Sequence, residues 1–149
     1  MEAELGERFS RIVLEQVLNA PLVTGTTEFL SRNKDHYDFF IVSGTPEEEL
    51  RSIMAHRQLA RFFREVYGTP GEKAELIEGI LSKYSFGREE AVLVGDAESD
   101  QVAADKTGVF FVARINQENQ LEGCHWKIND LTELDTILDN IDKKGEYNK

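Results

Sequence analysis

Apolar residues recur along this chain in two alternating rhythms. Leu5, Phe9, Ile12, Val13 and Val17, with Gln16 among them, follow helical spacing and predict a helix over residues 2–18. Asn19-Ala20-Pro21 should end it, since proline cannot continue a helix. A short helix around 26–32 presents Phe29 and Leu30. Phe39-Phe40-Ile41-Val42 is a continuous apolar run ending in Ser43-Gly44, as expected of a strand buried on both faces of a parallel sheet. Thr45, Pro46 and Glu48 then have the order of a helix N-cap, first helical position and capping-box acid. Leu50, Ile53 and Met54 form the inward face of that helix, and 57–63 continues or restarts it through Leu59, Phe62 and Phe63.

Val66-Tyr67 predicts a short edge strand, closed by Gly68-Thr69-Pro70-Gly71. Residues 73–84 form a helix with Leu76, Ile77, Ile80, Leu81 and Tyr84 along one side. Ala91-Val92-Leu93-Val94 is a second buried strand and runs straight into Gly95-Asp96. The next helix carries Ala103 and Ala104, small enough for close packing on a sheet, and Gly108 caps it. Val109–Val112 is a third strand and 125–128 a weaker fourth. Leu131, Leu134, Ile137, Leu138 and Ile141 belong to a closing helix, with a frayed tail over 143–149. Strands alternating with helices predict an α/β fold, a three-layer Rossmann-like core around a mostly parallel sheet.

Charge narrows the functions open to such a fold. Seventeen basic residues against 28 acidic ones give a net charge of -11, which repels the backbone of nucleic acid. An anionic ligand must therefore meet a local positive site. A single cysteine, Cys124, allows no internal disulfide and fits a reducing cytoplasm. No run approaches the roughly 18–20 apolar residues of a membrane span, and Met-Glu-Ala-Glu-Leu does not resemble a signal peptide.

In an open parallel sheet, ligands bind beyond the C-terminal ends of the strands. Two strands here end in polar loops, Ser43-Gly44-Thr45 and Gly95-Asp96-Ala97-Glu98-Ser99-Asp100, and Lys73 opens a helix between them. Ser43 offers a hydroxyl, and the turn after it presents backbone N–H groups to a phosphate. Lys73 supplies a compact positive charge. Asp96 and Asp100 are hard oxygen donors suited to Mg²⁺. Taken singly these features are ordinary: a capped turn, a surface lysine, a Gly-Asp turn. Their order relative to strand ends and helix starts gives them meaning together. His36, His56 and His125 are scattered without metal-ligand spacing. Cys124 and Trp126 are expected to pack near the last strand, Glu98 to be a solvated loop carboxylate, and Arg57, Arg61 and Arg64 to form a solvated helix face.

The pattern resembles the haloacid dehalogenase-like (HAD) phosphohydrolases, specifically the phosphoglycolate-phosphatase-like branch, over residues 20–142. Ile41-Val42-Ser43-Gly44-Thr45 is similar to the family's second motif, a strand ending in a phosphate-binding Ser or Thr. Lys73, in Gly68-Thr69-Pro70-Gly71-Glu72-Lys73, is similar to the third, whose lysine steadies nucleophile and phosphate. Val94-Gly95-Asp96-Ala97-Glu98-Ser99-Asp100 is similar to the fourth, Gly-Asp-x-x-x-Asp, which holds Mg²⁺. Ile128-Asn129-Asp130-Leu131 resembles the passage into the last helix. The resemblance implies a phosphate site at Ser43, Gly44 and Lys73, with Lys73 also catalytic, a Mg²⁺ site at Asp96 and Asp100, and a small phosphorylated metabolite as substrate.

The family's first motif, Asp-x-Asp-x-Thr at the end of the first core strand, supplies the nucleophile, and no Asp-x-Asp occurs in this sequence. By the same resemblance, residues 1–19 hold the last helix of a truncated helical cap, the nucleophile would precede Met1, and the first core strand is missing. That leaves a gap between strands 39–42 and 91–94, whose two edges invite direct pairing, strand exchange or self-association. Three readings follow: the core of a Mg²⁺-dependent phosphatase, inactive as this chain; a binding or regulatory pseudo-phosphatase; and an unrelated α/β scaffold. The first two require Ser43, Lys73 and Asp96 to gather at one end of the sheet.

Overall fold

The computed structural model describes residues 11–14, 24–56, 58–69, 71–115, 121 and 123–147, and only the backbone of 11–14, 69 and 142–147. Among these residues its centre is a parallel sheet of six strands: β1 (Arg11–Leu14), β2 (Asp38–Pro46), β3 (Phe63–Thr69), β4 (Ala91–Gly95), β5 (Phe110–Arg114) and β6 (Lys127–Ile128). The order across the sheet is β3-β2-β1-β4-β5-β6. Five helices accompany them among the described residues: α1 (Thr26–Asn33), α2 (Glu47–His56), α3 (Lys73–Tyr84), α4 (Glu98–Thr107) and α5 (Leu134–Tyr147).

Alternation within β2 and β4 makes the layers. Phe39, Ile41, Val92 and Val94 face a core completed by Phe29 and Leu30 of α1, Leu50 and Met54 of α2, and Leu134, Leu138 and Ile141 of α5. Phe40, Val42, Ala91 and Leu93 face the other way, onto Ile77, Ile80 and Leu81 of α3 and Ala103 and Ala104 of α4. Burial on both faces is why these strands read as unbroken apolar runs. The small alanines bring α4 close to the sheet, and Gly108 ends that helix in the left-handed region at φ 82°, its N–H bonded to the Ala104 carbonyl. The three-layer α/β core is as expected.

The centre of the sheet is not. Arg11–Leu14 is a strand rather than part of a helix, and it pairs in parallel with β2 on one side and β4 on the other. The expected gap is therefore filled by this chain, and the two edges beside it are paired. The segment Ile12-Val13-Leu14 satisfies helical and extended spacing alike. Its β-branched pair favours the extended form once two strands offer their edges. The remainder of the helix expected over 2–18 lies outside the described residues.

Smaller departures follow similar causes. Thr45 and Pro46 belong to the end of β2, and α2 begins one residue later, at Glu47. Residues 57–63 do not continue α2: Gln58 takes a left-handed φ of 59°, a single turn of tight helix spans Ala60–Phe62, and Phe63 opens β3. β3 is thus longer than Val66-Tyr67, and β5 is shifted to 110–114. β6 keeps only Lys127 and Ile128 of the strand expected at 125–128. The end expected to fray from 143 is helical through Tyr147. Among the described residues no helix is long and apolar enough to cross a membrane.

Candidate functional site

Parallel pairing places the predicted loops at one edge. Leu14 is level with Ile41 on one side and Val94 on the other. Ser43 and Asp96 each stand two residues beyond those partners, hence at one height, separated by two strand spacings of roughly 5 Å each. The helix α3 lies against α4, so Lys73 at its first turn reaches Asp100 in the first turn of α4, just past the loop that carries Asp96.

Ser43 is buried, and its hydroxyl oxygen accepts the Thr45 N–H at 3.1 Å, closing the turn that leads into α2. That bond leaves the hydroxyl proton to donate. Gly44 next to it is exposed, and a Cβ there would meet nothing within 4 Å. Its use to a ligand is therefore its backbone, not its lack of a side chain.

Lys73 and Asp100 form a tight pair. The lysine Nζ lies 2.9 Å from Asp100 Oδ1 and donates to Ser99 Oγ at 2.8 Å. Asp100 is wholly buried, and its Oδ2 accepts the Ala97 N–H at 3.1 Å, capping α4. The carboxylate sits so close to β4 that a Cβ on Gly95 would lie 2.5 Å from Oδ2. Glycine at 95 is thus a requirement of the Asp100 position, which explains the Gly-Asp pair on physical grounds. Asp100 ties α4, β4 and α3 together.

Asp96 is placed differently. Its side chain is 10% exposed. Burial pushes its carboxyl above the usual range; the Asp100 charge pushes it further, against opposition from Arg114 and Lys73. Burial and the neighbouring carboxylate both work against its charged form, a condition a cation relieves. Arg114, the last residue of β5, holds its Nη1 3.7 Å from Asp96 Oδ2, too long for a hydrogen bond but close enough for an ion pair. Sequence reasoning missed Arg114 because it ended the strand at 112, and it missed the Ser99 contact because a serine in the first turn of a helix carries no distinctive signal.

The donor chemistry at this edge suits Mg²⁺, which binds through one or two carboxylates and keeps several waters. Among the described residues no group of three or more His, Cys, Asp or Glu side chains could enclose a metal. A small hydrated cation on Asp96 and Asp100 fits that supply; a closed transition-metal site does not. The sequence after β1 reads Glu15-Gln16-Val17, so no aspartate follows the central strand. Of the residues expected at the site, Ser43, Gly44, Lys73, Asp96 and Asp100 all stand at the C-terminal edge. Lys73 and Asp100 touch each other, and Asp96 faces Arg114.

A family model described as haloacid dehalogenase-like hydrolase matches residues 2–114. No curated protein matches the chain. Among solved structures, a haloacid dehalogenase-like hydrolase from Streptococcus pneumoniae is 20% identical, with a TM-score of 0.69 over 77% of this chain and 59% of that one. The core domain of a protein assigned as a phosphoglycolate phosphatase, from Streptococcus pneumoniae TIGR4, is 17% identical. Its TM-score is 0.68, over 87% of this chain and 94% of the domain. A HAD-type hydrolase from Bacillus subtilis, bound to magnesium, is 18% identical, with a TM-score of 0.68 over 78% of this chain and 55% of that one. At these identities the likeness is one of fold. The chain spans somewhat over half the length of the first and third and nearly all of the isolated core domain.

Proposed function

Because this chain belongs to the haloacid dehalogenase-like hydrolase family, we propose that its strand-end edge is a phosphatase-type site that binds a phosphoryl group and Mg²⁺ without turning the substrate over. The ligand class is a small phosphorylated metabolite. Such a ligand suits an acidic protein, because its charge is met locally by a lysine, a cation and turn N–H groups. The observation that supports this reading is the common height of Ser43 and Asp96 across β1, with Lys73 fastened to Asp100 beside them.

Each residue has a task in binding. The Ser43 hydroxyl donates to a phosphate oxygen while its lone pair stays on the Thr45 N–H. The exposed Gly44 backbone lets the phosphate approach the turn. Lys73, held by Ser99 and Asp100, presents an oriented positive charge whose position costs no rearrangement. Asp96 and Asp100 would hold Mg²⁺, which supplies charge neutralisation for the phosphoryl oxygens when bound. The covalent step has no group to perform it: the sequence contains no Asp-x-Asp, and Glu15-Gln16-Val17 follows the strand whose end carries the nucleophile in the family.

A second reading, the core of a larger Mg²⁺-dependent phosphatase, draws support from the partial span of the longer relatives. The filled centre of the sheet favours the binding module, because a further strand could enter between β2 and β4 only by displacing Arg11–Leu14. The test is a pair of measurements on this chain. With Mg²⁺ and p-nitrophenyl phosphate or a panel of small phosphate esters, hydrolysis should not exceed that of an Asp96→Asn control. By calorimetry, inorganic phosphate should bind with Mg²⁺ present, and at least tenfold more weakly in Lys73→Met, the loss of one charge-assisted contact. Saturable turnover abolished by Asp96→Asn would overturn the non-catalytic reading, and phosphate binding indifferent to Lys73 would overturn the site.

A further inference from the structure

Arg114 is the basic residue that faces Asp96 from the neighbouring strand. Gly95 pairs with Ala113, so the next pair in register is Asp96 with Arg114. The guanidinium lies 3.7 Å from Asp96 Oδ2, with the arginine side chain 25% exposed and the aspartate 10%. Lys73, the cation at the start of α3, is directed to Asp100 and Ser99. A second carboxylate stands on the far side: Arg114 is level with Ile128 of β6, and Asp130 follows two residues later. Asp130, just beyond β6, is held below the ordinary carboxylate range by its bonds from Thr132 and, to a smaller degree, by the Arg114 charge.

We propose that Arg114 is an internal counter-cation that competes with the divalent metal for Asp96, and that metal binding turns the guanidinium away toward Asp130. The inference rests on the metal reading of Asp96 given above and adds a residue that sets its affinity. The physical ground is simple. A guanidinium and a divalent ion on one carboxylate repel each other strongly in a half-sheltered site. The metal's arrival therefore drives the guanidinium off, and its apparent affinity is lowered by the work of moving Arg114. Asp130 gives the displaced charge somewhere to go. The Lys73–Asp100 bond is kept, and each Asp100 oxygen still has a lone pair for the cation beside it.

Mg²⁺ alone, titrated by isothermal calorimetry into the full chain, tests this. Arg114→Met keeps much of the side-chain volume and removes the charge. It should bind Mg²⁺ roughly tenfold more tightly than the wild type, the equivalent of about 1.4 kcal/mol. Asp130→Asn should do the opposite and weaken binding a few-fold, because the displaced guanidinium loses its second carboxylate. A purely structural role for Arg114 predicts no such pair of opposite shifts. Arg114→Gln serves the same purpose if the methionine variant fails to fold, with the same direction expected. Unchanged or weaker Mg²⁺ binding in the charge-removing variants, while Asp96→Asn still abolishes it, overturns this inference alone. Binding that survives Asp96→Asn overturns the metal reading, and this inference with it. Absence of Mg²⁺ binding in both wild type and Arg114→Met also overturns the proposal, since removing the competitor should expose the site.

Discussion

Glu65 on β3 and Asp96 beyond β4 are both sheltered carboxylates with lysine charge nearby, their side chains 22% and 10% exposed. Glu65 accepts from Lys83 at 2.7 Å and from the hydroxyls of Tyr67 and Tyr84. Those three donors, Lys83 first, hold its carboxyl down to about 2. Asp96 is shifted the other way, by burial and by Asp100. One acid is held by a lysine and two phenol hydroxyls and clamps the edge strand to α3. The other is raised first by burial and then by the Asp100 charge, a setting that a cation relieves. The same residue chemistry builds structure in one place and capacity in the other, and the difference lies in whether hydrogen-bond donors or burial dominate around it.

The sharpest break of that comparison comes from Asp100, the acid four residues from Asp96 that behaves like Glu65. It is fully buried and satisfied by Lys73 and the Ala97 N–H. Asp100→Ala should cost about 3 kcal/mol or more, since it strands part of a sheltered ion pair and removes a helix cap. Urea denaturation without metal measures it. A loss below about 1 kcal/mol would mean that the bonds from Lys73 and Ala97 do little for the fold and that Asp100, like Asp96, serves a ligand alone, so the contrast between the two acids would vanish.

Glu65→Gln should come next, at about 1–2 kcal/mol, discounted because Lys83 is largely exposed. The sign of its pH dependence follows from the lowered carboxyl. Glu65 contributes fully above the unfolded value near 4.5 and loses that contribution as pH falls toward about 2. Thermal unfolding from pH 5 to pH 2 should therefore bring wild type and Glu65→Gln together at the acid end. A difference that persists unchanged at pH 2 would show that packing of Tyr67 and Tyr84, not the charge, carries the effect.

How much of this was legible in advance depended on which side chains a residue meets. β4 and the loop after it could be read because Ala91–Val94 is apolar throughout and Gly95 must admit Asp100. Ser43 and Asp96 could be placed at one edge from strand direction alone. The pairing of Lys73 with Asp100 could not, because it depends on how α3 leans on α4, and a carboxylate in a metal-like spacing looks the same whether it awaits a cation or already has one. β1 was hidden because Ile12-Val13-Leu14 satisfies both periodicities, and its strand form follows from the slot between β2 and β4. The break after α2 was hidden because Gln58 takes a left-handed conformation usually signalled by Gly or Asn. Arg114 was hidden by a strand that runs two residues past the predicted end at Val112.

The smallest expected effect is the most telling. Asp96→Asn, studied with chelator present, should change stability by less than about 1 kcal/mol at neutral pH, and toward greater stability if it changes it at all. A group whose carboxyl is raised in the folded state contributes most when protonated, below its unfolded value, and loses that contribution as pH rises through its folded value. The wild type should accordingly lose ground to Asp96→Asn as pH rises from about 4, opposite in sign to Glu65, where the acid arm is the costly one. Adding Mg²⁺ at neutral pH should reverse the order, because mass action stabilises only the chain that binds it. Thermal unfolding of both proteins at pH 4 and pH 7.5, with chelator and then with Mg²⁺, gives all the required comparisons. If Asp96→Asn is less stable than the wild type by 2 kcal/mol or more in chelator at pH 7.5, Asp96 is a structural acid like Glu65, and the site loses the residue on which cation binding depends.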